Sequence, residues 1–218
     1  IVEMAIPWLL IGHAETRIAS GFAGLMIAVV PIIGTLLARA MGDRSAFSGV
    51  KVAGLAVGIL GVGLLVGLDS LAGHIDAISV FELLVVAVCY AVGPVIAARR
   101  LSDVPSMGVI ALSLGVGAVL YLPVAVRGLA GGAPSWSVIG SVLVLALICT
   151  AVAFLVFFAL IEEVGPVRAT VITFVNPAVA VALGILVLGE PLTTGILVGF
   201  PLVLLGSFLA TRPGRSTT

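Results

Sequence analysis

The chain has 218 residues, of which 61% are hydrophobic and only 9% are charged, and its formal net charge is zero. This composition leaves too little polar surface to cover a water-soluble globule, and the few scattered basic residues give no support to nucleic-acid binding. The chain is therefore expected to lie in lipid. Its two cysteines, Cys89 and Cys149, fall inside apolar stretches, so they predict small buried side chains rather than a disulfide framework.

Apolar stretches long enough to span a bilayer recur along the chain. A spanning helix needs about 20 apolar residues. Seven stretches meet this requirement: residues 18–40, 50–68, 79–98, 106–126, 138–160, 167–188 and 195–211. Residues 1–12 are apolar but too short to cross the bilayer, and no initiator Met or charged leader precedes them, so we expect an N-terminally truncated chain. The predicted fold is an all-α polytopic membrane protein with seven full transmembrane helices and an N-terminal partial helix.

The N-terminal segment carries Glu3 and Trp8. If this segment ends near Gly12, Glu3 lies roughly 14 Å along the helix, close to the bilayer midplane. Because an ionisable residue is costly at that depth, Glu3 is a candidate site for a coupling proton or cation, and Trp8 is a candidate for the substrate path. A shifted segment, with Glu3 reaching the interface, is the alternative that the sequence leaves open. His13 has no second His or Cys near it, which favours a solvated loop over a metal site.

The first two full spans carry small residues at helical spacing. In the span 18–40 these are Ser20, Gly24, Pro31 and Thr35. Such a stripe either lines a polar path or allows close helix packing, and we retain Pro31 and Thr35 as candidates for the path. The glycines of the span 50–68, and those of the last span, indicate packing helices, with packing inside the chain favoured over dimerisation.

Two later spans contribute further candidates. Glu82 lies near one membrane surface, as an interfacial carboxylate or, alternatively, as a gating or coupling-ion residue. Tyr90 and Pro94 lie at mid-depth in the same span, where the Tyr90 hydroxyl binds either substrate or a neighbouring helix. Thr150 is the deepest polar group of the span 138–160.

The span 167–188 contains the strongest local candidates for substrate contact. Thr170, Thr173, Asn176 and Pro177 occupy about one third of its circumference at 100° per residue. Asn176 is the only side-chain amide of the chain, and Pro177 removes a backbone donor beside it. Hydrogen bonding between helices is the alternative role for Asn176.

An internal repeat relates the two halves of the chain. Equivalent residues recur at offsets of 146, 147, 145 and 145 residues: Pro31 and Pro177, Gly42 and Gly189, Gly54 and Gly199, and Gly61 and Gly206. Five helices separate a span from its copy, so the copy must cross the bilayer in the opposite direction. Inverted repeats are typical of secondary transporters, which bind substrate near the midplane and alternate access by rocking.

The basic residues predict the orientation of the chain. Eight of the ten are expected on one side: Arg39, Arg44, Lys51, Arg99, Arg100, Arg168, Arg212 and Arg215. Only Arg17 and Arg127 are expected on the other side. By the positive-inside rule the C-terminus is cytoplasmic.

These motifs resemble a known family. The residues Ala5-Ile-Pro7-Trp8-Leu, Ala14-Glu15, Ile18-Ala-Ser20-Gly21 and Gly42-Asp43 resemble the first EamA repeat of the drug/metabolite transporter superfamily. The residues Gly165-Pro-Val-Arg168-Ala and Leu188-Gly189-Glu190-Pro191-Leu resemble the second EamA repeat. The resemblance implies ten helices in two inverted repeats of five. Residues 1–68 are then the end of the first repeat, 69–78 an inter-repeat loop, 79–211 the second repeat, and 212–218 a cytoplasmic tail.

The resemblance also implies a function. Members of this family are plasma-membrane or bacterial inner-membrane carriers that export metabolites, amino acids or drugs through a central cavity. The expected partners are a small-molecule substrate, the lipid bilayer and a coupling proton or cation, with no cofactor, metal, catalytic residue or nucleic acid. The sequence predicts no oligomeric state. A non-transporting scaffold and a lipid scramblase are the alternative functions.

Overall fold

The computed structural model describes residues 1–42, 49–71, 76–101, 103–129, 132–164 and 172–211. Every regular element in these ranges is helical. The α-helices are α1 Ala5–Ala14, α2 Ser20–Ile27, α3 Val30–Ala40, α4 Gly49–Leu71, α5 Ala77–Arg100, α6 Ser106–Leu129, α7 Trp136–Ala146, α8 Ala153–Val164, α9 Ile172–Leu188 and α10 Thr194–Thr211. The chain divides into two compact units, one of Ile1–Leu114 with Phe174–Thr218 and one of Gly115–Thr173.

The structure confirms an all-α polytopic membrane protein. Among the described residues, six helical segments are long and apolar enough to cross a bilayer, with α2 and α3 together forming one of them. The predicted span 167–188 appears as α9, of which Val175–Leu188 is apolar but shorter than a full span. Residues 165–171 lie outside the described residues, so the predicted count of seven stays a prediction.

The span 18–40 is broken into two helices just before Pro31. Pro31 has no N–H to donate to the carbonyl of Ile27, and α2 ends at Ile27. At the break, the buried carbonyl of Ala28 accepts a hydrogen bond from the Ser207 hydroxyl of α10 at 2.7 Å. The break is therefore satisfied by a neighbouring helix, as backbone in lipid must be.

The α4 and α10 helices make the most extensive helix–helix contact of the first unit. Glycines allow their backbones to meet: a Cβ added at Gly61 would lie 2.6 Å from the Val203 nitrogen and 3.0 Å from the Gly199 oxygen. A Cβ added at Gly54 would lie 2.8 Å from the Gly206 oxygen. Small residues at a membrane helix interface have this effect because they remove the side chains that would hold the backbones apart.

These glycine contacts are reciprocal. A Cβ added at Gly199 would lie 2.7 Å from the Gly61 oxygen, and one at Gly206 would lie 2.7 Å from the Gly54 oxygen. The contacts pair Gly54 with Gly206 and Gly61 with Gly199, so α4 and α10 run antiparallel. Exchanging each residue for its equivalent at the 145-residue offset converts one pair into the other.

Three loop regions meet at one end of the first unit. The segment after α1, the end of α4 with the start of α5, and the segment between α9 and α10 contact each other there. We call this end the carboxylate end, because it carries Asp69, Asp76, Glu82 and Glu190. Asp69 is 3% exposed and accepts hydrogen bonds from the Gly195 nitrogen at 3.1 Å and the Thr193 hydroxyl at 2.8 Å. It thereby caps the N-terminus of α10.

The second unit contains a π-helical turn. It spans Leu147–Val152 between α7 and α8, and the Thr150 hydroxyl donates to the Leu145 carbonyl five residues earlier at 2.9 Å. The wider π turn makes this carbonyl accessible. No residue of the apolar segment Trp136–Phe157 is fully buried by the rest of the protein.

We expect the Gly206→Ala substitution to destabilise the protein. The added methyl group would meet the Gly58 backbone and the Gly54 oxygen, neither of which can move independently of its helix. Such overpacking costs about 1–3 kcal/mol of unfolding free energy. Thermal unfolding in detergent measures the change. Gly63→Ala on α4 is the control, since nothing lies within 4 Å of its added Cβ. Equal melting temperatures for the two variants would contradict the glycine interface.

Candidate functional site

The α1 and α5 helices bring three predicted site residues together at mid-depth. Glu3 lies against Gly93, where an added Cβ would be 2.6 Å from Glu3 Oε2. Trp8 pairs with the Tyr90 side chain, and an indole N–H can only donate, so the phenol oxygen accepts. We call Glu3, Trp8, Tyr90 and Gly93 the mid-depth cluster.

The depth of this cluster follows from the helix lengths. Tyr90 lies close to the middle of α5, which has 24 residues. Glu3 precedes the end of α1 by 11 residues, or about 16 Å at 1.5 Å per residue. Pro94 is exposed on α5 and has no N–H for the Tyr90 carbonyl, so Tyr90 presents an oxygen of its backbone as well as its phenol. The cluster thus combines a carboxylate, an indole and a phenol with a freed carbonyl.

Glu82 is part of an ionic cluster at the carboxylate end. Its Oε1 lies 2.6 Å from His13 Nδ1, and its Oε2 accepts from Arg17 Nη2 at 2.8 Å. The Glu82 side chain is 12% exposed, whereas that of His13 is 56% exposed. The carboxylate is therefore held by His13, in the last turn of α1, and by Arg17, in the segment after α1. Its gating or coupling role stays a prediction.

Arg17 extends this ionic cluster to the start of α5. Its Nε donates to the Ser79 hydroxyl at 3.1 Å and lies 3.3 Å from Asp76 Oδ2. Asp76 caps α5 by accepting from the Ser79 nitrogen at 3.1 Å. The Ser79 backbone N–H, and then the Ser79 hydroxyl and Arg17, hold the pKa of Asp76 below its usual value.

Glu190 caps a helix of the other half of the chain. Its Oε1 accepts from the Ser20 nitrogen at 2.7 Å, and its Oε2 accepts from the Gly21 nitrogen at 2.8 Å. These N–H groups belong to the first turn of α2, where they have no partner within the helix, and the preceding Ala19 makes no side-chain cap. A carboxylate at this position also interacts favourably with the helix dipole.

Glycines create the space for the Glu190 carboxylate. Gly189 has φ +69°, a left-handed conformation that ends α9 and directs the Glu190 N–H to the Gly184 carbonyl at 3.0 Å. A Cβ added at Gly21 would lie 2.8 Å from Glu190 Oε2, and one added at Gly184 would lie 3.1 Å from its Cδ. Any larger residue at either position would displace the carboxylate.

A cleft opens next to this cap. It has a volume of about 380 Å³ and is lined by Glu15, Ile18, Phe22, Pro191 and Thr193, among others. Burial of the Glu15 carboxyl raises its pKa, and the nearby Glu190 charge raises it further. The cleft therefore has a carboxyl group on its wall that binds a proton more readily than an ordinary glutamate.

The remaining predicted site residues lie elsewhere. Asn176 is exposed on α9 while Pro177 beside it is buried. Pro31 begins the second half of the broken span. Thr35 donates to the Pro31 carbonyl at 2.9 Å and is 9% exposed between α3 and α10, which is the position of a packing residue. Thr150 lies in the second unit. Thr170 and the Thr173 side chain lie outside the described residues.

Comparison with known proteins identifies the family of this chain. The model of the EamA-like transporter family matches residues 77–212, which is more than half of the chain. The chain belongs to the EamA-like transporter family. It is therefore an integral, multi-pass membrane protein of that family, and it spans about 60% of the length of YvbV, a relative described below. No solved structure matches this EamA-like chain.

Its relatives include bacterial and archaeal transporters. It is 31% identical over 186 residues to the uncharacterized transporter YvbV of Bacillus subtilis. These 186 aligned residues are 83% of the chain and 60% of YvbV. An uncharacterized transporter of Archaeoglobus fulgidus is 26% identical over 215 residues, 97% of the chain and 75% of the relative. The uncharacterized inner membrane transporter YedA of Escherichia coli is 30% identical over 201 residues, 88% of the chain and 64% of YedA.

We expect the stability of the protein to depend on pH through Glu15. Its pKa is raised above 4.5, so its stabilising contribution is present below that pH and is lost as the pH rises through the folded-state pKa. Glu15→Gln removes this dependence. The melting temperature of the variant minus that of the wild type should therefore increase from about pH 4 to about pH 7. The control is Glu163→Gln, at an exposed glutamate of α8. A difference that stays constant with pH would contradict the raised pKa.

Proposed function

We propose that the chain is part of a secondary-active transporter that exports small metabolites, amino acids or drugs by alternating access between two inverted repeats. The observation that carries this proposal is the reciprocal contact of α4 with α10. Gly54 pairs with Gly206 and Gly61 with Gly199, and exchanging the repeat-equivalent residues converts one pair into the other. An axis lying in the membrane plane relates two antiparallel helices in this way, and inverted repeats have such an axis.

A second helix pair supports the opposite orientation of the two copies. A Cβ added at Gly24 of α2 would lie 2.5 Å from the Ala180 Cβ, and Gly21 lies beside Gly184 of α9. The residue numbers rise along α2 as they fall along α9, so these helices also run antiparallel where they cross. They belong to the two copies that contain Pro31 and Pro177. We propose that Asn176, together with Thr170, Thr173 and Thr150, contacts the substrate.

The mid-depth cluster is the proposed coupling site. Glu3 is the one carboxylate of α1 and its N-terminal flank, and it lies within reach of the Trp8 and Tyr90 pair. A carboxylate that exchanges a proton or cation there would link ion movement to substrate movement, since a charge at mid-depth is costly without a partner. In this proposal Tyr90, with Pro94 beside it, forms the wall shared by the ion and the substrate.

We propose that the carboxylate end faces the outside. The basic residues Arg39, Lys51, Arg99 and Arg100 lie at the ends of α3, α4 and α5 that are remote from the carboxylate end. The positive-inside rule assigns that basic end, and with it the C-terminus, to the cytoplasm. The inner membrane named for YedA supports a plasma-membrane location.

Counterflow in proteoliposomes tests the proposed function. The full-length protein, loaded with one unlabelled compound at a time from a panel of amino acids and other small metabolites, should accelerate the uptake of the same labelled compound. We expect Glu3→Gln to reduce coupled transport and Asn176→Ala to reduce counterflow, each about tenfold or more, because each removes a polar group from mid-depth. Expression and melting temperature should be retained.

The exposed Glu163→Gln variant is the matched control for Glu3→Gln and should transport normally. Normal transport by both the Glu3 and Asn176 variants would contradict the site assignment. Lipid movement without counterflow of any compound would instead indicate a scramblase, and the absence of both activities would indicate a scaffold.

A further inference from the structure

We propose that Glu190 is the latch that closes the transporter at its carboxylate end, and that opening of this end requires the Glu190 carboxylate to leave the N-terminus of α2. The proposal deepens the proposed alternating access and rests on it. It assigns a positioning role to Glu190, which connects α2 of the first repeat with the α9–α10 loop of the second.

The latch is a strong polar contact between two helices that otherwise meet through apolar groups. Glu190 accepts hydrogen bonds from the Ser20 and Gly21 nitrogens at 2.7 and 2.8 Å, and both bonds are charge-assisted. The other described contacts between α2 and α9 are apolar: Gly21 and Gly24 cross Ala180 and Gly184, and Val181 lies in the same buried cluster as Phe22. Removing the carboxylate takes away the polar contact between these helices and should therefore favour their separation.

The latch is also reversible. A carboxylate and the N–H groups of a first helical turn can both be hydrated when they separate at a membrane surface, so the open state leaves no polar group without a partner. The α4–α10 interface differs in extent, because four glycines bring its backbones together over two turns of each helix. We infer that α4 and α10 stay together while α2 and α9 separate.

The other contacts of the carboxylate end are less suited to this role. Glu82 with His13 and Arg17 joins α1 to α5, but these helices also pack along their length down to Glu3 and Gly93. Asp69 caps α10 within the α4–α10 interface that stays closed. The Glu190 contact, by contrast, is a polar contact between α2 and the segment after α9, outside the α4–α10 interface.

Alkylation of a buried cysteine tests the latch. Val181 on α9 is 8% exposed, and its Cα would lie 3.6 Å from a Cβ added at Gly21, so Val181→Cys reports the separation of α2 from α9. The full-length protein carries this change in a Cys89→Ala, Cys149→Ala background and is labelled in liposomes with a membrane-impermeant maleimide. We expect Glu190→Ala to raise the labelling rate roughly tenfold or more, the factor that a lost charge-assisted hydrogen bond gives, and Glu190→Gln to raise it less.

A second variant displaces the carboxylate while leaving Glu190 in place. The methyl group of Gly184→Ala would occupy the position of Glu190 Oε2, so labelling should rise as it does in Glu190→Ala. In the Glu190→Ala background the two nearest atoms, both of Glu190, are gone, and the next nearest, the Gly21 Cα at 3.5 Å, is at van der Waals distance, so the double variant should label no faster than Glu190→Ala alone. Gly34→Ala is the control, since nothing lies within 4 Å of its added Cβ.

A second cysteine reporter, placed in the α4–α10 interface, distinguishes opening of the carboxylate end from general unfolding. Val203 of α10 is 1% exposed in the α4–α10 interface, and Val203→Cys should stay unlabelled in every variant. Unchanged Val181→Cys labelling in both Glu190→Ala and Gly184→Ala would overturn the latch. Labelling of Val203→Cys at the same rate as Val181→Cys in these variants would also overturn it. No substrate takes part in this measurement, so a loss of counterflow with faster labelling would contradict only the transport function.

Discussion

The close approach of α4 and α10 is the contact on which the rest of the structure depends. In lipid, apolar side chains gain little by leaving the solvent, so helix association relies on packing, and glycines let two backbones approach within van der Waals distance. Gly54, Gly61, Gly199 and Gly206 do this over two turns of each helix. Because the 145-residue offset converts one pair into the other, the two pairs together fix α4 and α10 antiparallel.

The polar groups of the first unit follow a second rule. Asp69 and Glu190 each accept hydrogen bonds from the first-turn N–H groups of a helix that begins far away in the sequence. Where the helix is interrupted before Pro31, the Ser207 hydroxyl donates a hydrogen bond to the Ala28 carbonyl. Backbone groups at a membrane surface or inside it need partners, and here those partners come from the other half of the chain. Apolar glycine contacts thus hold α4 against α10, whereas charged caps form contacts that water can replace.

The sequence predicted the elements better than their contacts. Hydropathy located the described helices to within a few residues, and glycine spacing identified the faces of α4 and α10, because both signals are local. The glutamate of the Gly189-Glu190 motif was visible, but its partner Ser20 lies 170 residues away. His13 and Glu82 are 69 residues apart, so a solvated loop was the natural prediction for His13. Neither the break at Ala28 nor the π-helical turn at Thr150 was predicted, because each depends on carbonyls that find partners only in the fold.

Spin-label distances between α4 and α10 test the central claim most directly, since an inverted repeat requires these helices to be antiparallel. Labels on Val50→Cys and Thr211→Cys, both exposed positions, should lie close together in the cysteine-free full-length protein. Labels on Val50→Cys and Thr194→Cys should lie about 25 Å farther apart, the rise of 17 helical residues at 1.5 Å each. A short Val50–Thr194 distance with a long Val50–Thr211 distance would mean that the helices run parallel, and would contradict both the axis and the transport mechanism built on it.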